Sequence, residues 1–374
     1  MIKITDIQAC AVEAAIARNI PFALFALPDN REARFFAARP DNDDAGVWKS
    51  REQSAAGTDS FFINFFNNDE AYTAAVSCDF ATPEDFLEYA DANPAAGKES
   101  GEHLQTLSTD RTIYLAYVDT EIRRLKRRKG KTVLSRMEVL GSPRRVVDIA
   151  RDLFAGFSNT FRYLCFTRET GLWLGATPEL LLKVAADEPA TMLMRPLAGT
   201  LPADAKEWDR KNINEHTFVV ADIADVISRF TANDVKCNVR TCEVPFGNIK
   251  HRATEMRLQL SVDDYREFLT ALSPTAAVGG SPRDEAIRRI IELESHERKC
   301  YAGFVGVQSG RAIDAYVNLR CAMARQNADG SSDFNIFGGG GITAESVAAQ
   351  EWEETEAKIT PLREIINKPT DYNE

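Results

Sequence analysis

The sequence of 374 residues lacks the features that send a chain into or across a membrane. No stretch approaches the ~20 uninterrupted apolar residues of a membrane helix. Residues 1–6 also lack the basic and apolar regions of a signal peptide. We therefore expect a cytoplasmic protein that has no membrane partner.

An excess of positive charge is also missing. The chain has 45 Lys and Arg against 56 Asp and Glu, which gives a formal net charge of −11. This sign argues against a nucleic-acid partner, because such proteins neutralise phosphates with clustered cations. An anionic substrate would have to meet a local group of cations or a bound metal ion.

Cysteine pairs at zinc or disulfide spacing are absent as well. The seven cysteines are scattered singly, except Cys237 and Cys242, which have no second Cys or His pair nearby. This pattern indicates reduced thiols in a reducing compartment. Hydrophobic residues make up 44% and charged residues 27% of the chain, which is typical of a globular protein with a sizeable core.

Apolar periodicity predicts helices and strands in groups. From Tyr114 the apolar positions recur at steps of four, four and three, which predicts a helix ending near Gly130. Further helices are predicted over 144–157, 208–230, 282–296 and 344–366, with strands at 131–136, 161–166, 172–175, 303–307, 315–320 and 333–337. Grouped elements favour an α+β fold, with a two-layer antiparallel β-sheet core flanked by helices, over a doubly wound fold.

Two regions are predicted along the chain. Residues 1–110 mix short apolar runs with polar, turn-rich spacers, which favours a β-rich N-terminal lobe of strands and loops. Residues 111–374 carry the candidate chemistry. We expect the two regions to form one intertwined domain.

A run of four glycines, residues 338–341, precedes the final predicted helix. Glycines let backbone amides approach an anion, so the run is a candidate cradle for a phosphate or a carboxylate. The spacing of a dinucleotide fingerprint or a P-loop is absent, so the evidence for a nucleotide site is weak. A plain tight turn is the alternative.

Glutamates on two predicted helices are candidate metal ligands. Glu215 lies next to His216, while Glu351 and Glu354 are three residues apart and so share one helix face. Two such helices facing a cavity would offer carboxylates to a hard cation such as Mg²⁺. From spacing alone, exposed helix glutamates are the commoner explanation.

Nine collinear blocks resemble the chorismate-utilising enzymes, which include the anthranilate, aminodeoxychorismate, isochorismate and salicylate synthases. They span about two-thirds of the chain, from Tyr114 to Ile366, and read KTVLSR at 131–136, LGATPELLL at 174–182, PLAGT at 196–200, EH at 215–216, LSPTAAVGGSPRDEA at 272–286, YAGFVG at 301–306, NLRCA at 318–322, FGGGGIT at 337–343 and EWEETEAK at 351–358. The resemblance implies the fold of anthranilate synthase component I and chorismate as substrate.

The resemblance implies an acid and base pair. Lys131 stands where isochorismate and salicylate synthases carry a lysine that activates water, whereas the ammonia-using members typically carry glutamine. Glu179 matches the family's general acid, which must be protonated to donate to the departing C4 hydroxyl. A solvated strand-edge lysine and a helix-start glutamate are the non-catalytic alternatives.

Further roles follow from the same resemblance. Magnesium ligands map to Glu215 and Glu354, with Glu351 as a partner in the outer coordination sphere. Arg320 matches the arginine that holds the enolpyruvyl carboxylate, and the methyl group of Ala198 excludes the lysine nucleophile of aminodeoxychorismate synthases. The remaining substrate-binding residues are Gly199, Thr200, His216, Ala277, Val278, Gly339, Gly340, Gly341 and Lys358.

Together these residues predict a Mg²⁺-dependent isochorismate synthase that binds chorismate, acts without nucleic acid and is a monomer. A salicylate synthase, which also eliminates pyruvate, is the nearest alternative. A non-catalytic module that binds chorismate or a nucleotide is the second. Val307 departs from the pattern, because many relatives have an aromatic residue there.

Overall fold

The computed structural model describes residues 2–39, 48, 59–67, 73–94, 101, 103–208, 210–231, 235–246, 249–260, 262 and 265–369. The side chains of residues 211, 212, 214, 215 and 246 lie outside this description. The helices are α1 (Asp6–Ala17), α2 (Pro83–Ala92), α3 (Arg111–Leu125), α4 (Val146–Gly156), α5 (Arg210–Phe230), α6 (Tyr265–Leu272), α7 (Arg283–Leu293) and α8 (Ala348–Ile366).

The strands are numbered in chain order. They are β1 (Phe22–Ala26), β2 (Arg34–Ala37), β3 (Ser60–Asn64), β4 (Thr73–Ser77), β5 (Lys131–Ser142), β6 (Phe161–Thr167), β7 (Gly171–Thr177), β8 (Leu180–Val184), β9 (Thr191–Arg195), β10 (Leu197–Pro202), β11 (Cys237–Phe246), β12 (Ile249–Gln259), β13 (Gly280–Ser281), β14 (Phe304–Ser309), β15 (Ala312–Val317), β16 (Cys321–Gln326) and β17 (Ser332–Ile342).

The strands form two antiparallel sheets. The first has the order β13-β5-β17-β16-β7-β6-β1-β2, and the second has the order β10-β12-β9-β8-β15-β14-β3-β4, with β11 paired to β12. The predicted α+β fold with a two-layer antiparallel core is confirmed. No helix of the described ranges combines the length and apolarity needed to cross a membrane.

The core has two parts because strand side chains alternate between faces. Trp173 points between the two sheets, while its neighbours Leu172 and Leu174 point to the outer face of the first sheet, under α1, α2, α4 and α8. Between the sheets, the rings of Phe161 and Tyr316 stack with centroids 4.7 Å apart and join β6 to β15. The sheets are therefore tied directly to each other.

Residues 1–110 contribute to both sheets. Strand β1 pairs with β6 in the first sheet, and β3 pairs with β14 in the second. Strands and loops were predicted here, but the structure also has the helices α1 and α2. Helix α1 is Ala-rich and starts with a capping box, in which Thr5 and Gln8 bond each other's backbone N–H, and α2 starts at Pro83 after the cap Thr82.

The glycine run lies inside a strand. It was considered as a tight turn or an anion cradle, but β17 continues through Gly338–Gly341 to Ile342 and pairs with β5 along its length, from Ser332 opposite Ser142 to Ile342 opposite Thr132. The turn follows later: the Thr343 N–H bonds the Ser346 hydroxyl, and α8 begins only at Ala348 rather than at the predicted residue 344.

Candidate active site

A pocket with about 640 Å³ of empty space, part of it open to solvent, lies where β5, β17, β10 and α8 meet. It is bordered by ten of the residues that the sequence predicted for the site: Glu179, Ala198, Gly199, Thr200, Ala277, Val278, Arg320, Gly339, Gly341 and Lys358. Residues that lie far apart in sequence thus meet at one place.

Glu179 stands in the turn between β7 and β8, and only 2% of its surface is exposed. Burial raises its pKa to about 8, although the Leu197 N–H, which donates to Oε1 at 3.3 Å, and the charges of Lys131 and Lys358 act to lower it. The carboxyl group is therefore mostly protonated at neutral pH. A protonated acid that lines a pocket is suited to donating a proton to a leaving group.

Lys131 is the first residue of β5 and is fully buried. Its charge influences the pKa of Glu179, so the two groups belong to one electrostatic site. Strand alternation puts Lys131 on the same face of β5 as Val133, which lines the pocket. The backbone around it is crowded: a Cβ at Gly280, on the paired strand β13, would lie 2.2 Å from the Lys131 carbonyl oxygen.

The glycine segment of β17, residues 338–341, packs against α8 on one face and borders the pocket on the other. A Cβ at Gly338 would lie 2.7 Å from Ile359 of α8, and a Cβ at Gly340 would lie 3.1 Å from Oε2 of Glu351. Between them, a Cβ at Gly339 would lie 2.9 Å from the Tyr301 hydroxyl. Only glycine lets α8 and the pocket both approach this strand.

Two carboxylates converge on the α8 side of β17. The nearest oxygens of Glu351 and Glu354 lie 3.1 and 3.9 Å from the position of a Gly340 Cβ, and Glu351 is 1% exposed. Lys358 donates to Glu354 Oε1 at 2.6 Å and to the Gly339 carbonyl at 2.7 Å, so its ammonium joins α8 to the glycine strand. Clustered carboxylate oxygens fit the preference of Mg²⁺.

The third predicted metal ligand, Glu215, lies on α5, and its side chain is outside the described residues. Among the side chains that are described, no group of three His, Cys, Asp or Glu is gathered as a metal site. His216, the next residue, is buried and bonds the Thr254 hydroxyl of β12 through Nε2. It does not border the pocket as the structure defines it.

Arg320 is held in an unusual backbone conformation. Its φ is +50°, in the left-handed region that non-glycine residues rarely adopt, and its carbonyl accepts the Ala176 N–H at 3.1 Å. Burial lowers its pKa to about 10, while Tyr301 and Glu354 act to raise it, so the guanidinium stays charged at neutral pH. A buried cation that lines a pocket is suited to holding a carboxylate.

Two polar side chains that line the pocket were not predicted from the sequence, those of His251 and Tyr301. His251 of β12 bonds Thr200 Oγ1 through Nδ1 at 3.1 Å, and its Nε2 accepts from Arg320 at 3.2 Å. Burial and the charges of Arg320 and Lys358 hold its pKa well below the usual range, against a hydrogen bond to Gly199 that raises it. The imidazole is therefore neutral, as an acceptor for Arg320 must be.

Tyr301 is the second missed residue. Its ring stacks on Phe337 with centroids 5.2 Å apart, and burial raises the pKa of its hydroxyl, which stays protonated. It lies in the YAGFVG block, so a signal for it was present. His251 gave no local signal beyond being one of four histidines in the chain. Val307 is buried in β14.

Comparisons with known proteins agree with this fold. The solved structure of MenF, the menaquinone-specific isochorismate synthase of Escherichia coli, superimposes with a TM-score of 0.71 at 19% identity, covering 97% of this chain and 92% of that chain. At this identity the likeness concerns the fold. It shows that the chain has the same fold as that protein.

Sequence comparison gives the family. The family model described as chorismate binding enzyme matches residues 51–367, and the chain belongs to this family. The vibriobactin-specific isochorismate synthase of Vibrio cholerae is 30% identical over 62% of this chain and 61% of its own. Anthranilate synthase component 1 of Pseudomonas aeruginosa is 29% identical over 49% of this chain and 38% of its own. The matches thus span less than two thirds of either relative.

Proposed function

We propose that the protein is an isochorismate synthase, which converts chorismate to isochorismate with Mg²⁺. The observation that supports this most strongly is the protonated Glu179 in a pocket that also feels the charge of the buried Lys131. Water adds at C2 of the ring, the ring double bonds shift, and the C4 hydroxyl leaves. The product has the same mass as the substrate.

Glu179 acts as the general acid. Its proton goes to the C4 hydroxyl oxygen as the C4–O bond breaks, so that water rather than hydroxide leaves. The apolar surroundings that raise its pKa to about 8 keep the proton available at neutral pH. The Leu197 N–H, which donates to Oε1, orients the carboxyl group and stabilises the carboxylate that remains.

Lys131 acts on the attacking water. As the base, its amine would accept a proton from that water while the C2–O bond forms. The strand holds the group rigidly, because β5 is paired with both β13 and β17 at this end. In this proposal the base and the acid stand on opposite faces of the flat ring.

The carboxylates of chorismate are bound by the cations at the pocket. Arg320 offers a planar guanidinium with several donors, which suits the enolpyruvyl carboxylate better than an ammonium would. The neutral His251 accepts from this guanidinium at 3.2 Å and orients it without adding a competing charge. Ala277 and Val278 provide an apolar wall for the ring.

Glu351 and Glu354, with Glu215 as the third candidate, are the residues that would hold Mg²⁺. Bound there, the ion would neutralise the ring carboxylate of the substrate. Lys358 already satisfies one oxygen of Glu354 at 2.6 Å, so this glutamate is anchored at its place on α8.

Product analysis tests the proposal. Purified protein is incubated with chorismate, with Mg²⁺ or with a chelator, and the products are separated by liquid chromatography and identified by mass. We expect an isomer of the same mass as chorismate, formed only with Mg²⁺ and without pyruvate. Salicylate with pyruvate would instead identify a salicylate synthase, and unchanged chorismate would favour a binding module.

A further inference from the structure

Arg298 connects two walls of the pocket without lining it. Its Nη2 donates to the Val133 carbonyl of β5 at 2.6 Å, and its Nη1 donates to the Val278 carbonyl at 3.0 Å. Val133 and Val278 both border the pocket. One guanidinium therefore joins the strand that carries Lys131 to the loop that forms the apolar wall.

The guanidinium is itself fixed on every side. Glu294, whose side chain is 2% exposed, accepts from Nε at 2.9 Å and from Nη2 at 2.6 Å. The guanidinium carbon Cζ lies over the ring of Phe66, 4.3 Å from its centroid. A forked ion pair and an aromatic face together leave the group little freedom to move.

The backbone of Arg298 reaches a third part of the pocket. Its carbonyl accepts the Tyr301 N–H at 2.8 Å, in a short turn in which Lys299 and Ala302 have positive φ values of 51° and 65°. Arg298 therefore contributes to the pocket twice, with its carbonyl in the strained turn before Tyr301 and with its side chain between the two walls.

We propose that Arg298 is a positioning residue that sets the spacing of the substrate-ring walls. This inference depends on the proposed function in one respect, that chorismate is the ligand of the pocket. Beside the guanidinium, the Val133 N–H donates directly to the Gly279 carbonyl at 3.0 Å. That bond holds the backbones together, whereas Arg298 sets how far the Val278 carbonyl stands from the Val133 carbonyl.

The principal test is Arg298→Lys, because an ammonium keeps the charge but cannot reproduce the planar fork. Arg144→Lys is the matched control. Arg144 is also buried, and it donates to the Ile365 carbonyl at 2.9 Å and to Asp152 at 2.6 Å, away from the pocket. Both variants remove a buried guanidinium that donates several hydrogen bonds, but only that of Arg298 bonds the walls of the pocket.

We expect Arg298→Lys to raise KM for chorismate about tenfold or more, because small displacements at a binding site carry large penalties. Arg144→Lys should lower the melting temperature and leave KM within about twofold of the wild type. The kinetics are followed as chorismate consumption, so the result does not depend on the product formed. Equal KM values for the two variants would overturn the inference.

A second variant covers the case in which Arg298→Lys does not fold. Phe66→Leu removes the aromatic face under the guanidinium and keeps an apolar side chain of moderate size. We expect KM to rise several-fold, with kcat less affected. An unchanged KM in this variant, with Arg298→Lys unfolded, would also overturn the inference. The identity of the wild-type product separately decides the proposed function.

Discussion

Two buried carboxyl groups, close in exposure, differ in charge at neutral pH, because that of Glu179 is neutral and that of Glu294 is an anion. Glu179 is 2% exposed and has its pKa raised to about 8, mainly by burial. Burial also acts to raise the pKa of Glu294, but the charge and hydrogen bonds of Arg298, with further contributions from His296 and the Ser135 N–H, hold it below its usual value. Burial sets the penalty for charge, and the neighbours decide whether it is overcome.

The comparison separates a chemical role from a structural one. Glu179 accepts a hydrogen bond from the Leu197 N–H and faces the pocket. Glu294 receives bonds from the guanidinium of Arg298 and from both the N–H and the hydroxyl of Ser135, at 2.6 to 2.9 Å. The first carboxyl can release and regain a proton, while the second is a permanent anion of the framework.

The largest expected effect is that of Glu179→Gln on turnover. The amide keeps the shape and neutrality of the protonated acid but cannot donate the proton, so kcat should fall by about 10³-fold or more. Chorismate binding and Mg²⁺ affinity, measured by titration calorimetry, should stay within a few-fold of the wild type. A variant that lost Mg²⁺ affinity as strongly as turnover would contradict the assignment of Glu179 as the acid.

Glu294→Gln should act on stability instead. The substitution leaves the guanidinium of Arg298 buried without its countercharge, which is expected to lower the free energy of unfolding by about 3 kcal/mol. Chemical denaturation of this variant beside Glu179→Gln makes the comparison directly. The Glu179 variant should stay within about 1 kcal/mol of the wild type, because it replaces a group that is already neutral. Equal losses would show that the two carboxyls are alike.

The pH dependence of the two glutamates should have opposite signs. The acid form of Glu179 disappears as pH rises through about 8, so kcat/KM, which reports the pKa values of the free enzyme, should fall about tenfold per pH unit above that value. Its raised pKa also means that the stability it contributes is present at low pH and lost as pH rises toward 8, at no more than about 1.4 kcal/mol per pH unit.

Glu294 has a lowered pKa, so its contribution is present above the unfolded value and is lost as pH falls. Denaturation of the wild type and of the two Gln variants between about pH 2 and pH 9 measures both contributions. Removing Glu179 should flatten the fall in stability between the unfolded value of 4.5 and about 8, and removing Glu294 should flatten the fall below 4.5. If either variant changed the other part of the pH profile instead, the protonation states assigned to Glu179 and Glu294 would be wrong.

The smallest expected effect is that of Gly340→Ala. The added methyl group would stand 3.1 Å from Glu351 Oε2, so this carboxylate must shift by a few tenths of an ångström, whereas the 3.9 Å to Glu354 Oε1 is an ordinary contact. We expect Mg²⁺ to bind several-fold more weakly, by about 1 kcal/mol. Gly141→Ala on β5 is the control, because its methyl group would stand at an ordinary 3.7 Å from Asp333.

Much of this site could be predicted because its residues lie in recognisable blocks. The i, i+3 spacing of Glu351 and Glu354 predicted that they share a helix face, and both oxygens do converge over Gly340. His251 could not be found in this way. It reaches the pocket because β12 pairs with β10, which places it opposite Thr200 across 51 residues of sequence. Such pairing depends on sheet register rather than on local pattern.

In the N-terminal region, too, local sequence pattern predicted only part of the structure. Short aromatic runs such as that of β3 were strong signals, but the weakly amphipathic, Ala-rich α1 was not. That helix is positioned by tertiary burial of Ala11, Val12 and Ala15, all completely buried. A helix that is stabilised by packing against distant residues cannot be predicted from the periodicity of its own short segment.

The bare backbone of β17 also has a consequence for how the two sides of the site communicate. Where side chains would normally separate a helix from a cavity, Gly338, Gly339 and Gly340 leave one layer of peptide groups. The charges of Glu351 and Glu354 therefore act on the cavity through a single layer of backbone, whereas Lys358 borders the cavity itself. Whatever occupies one side sets the electrostatic potential on the other.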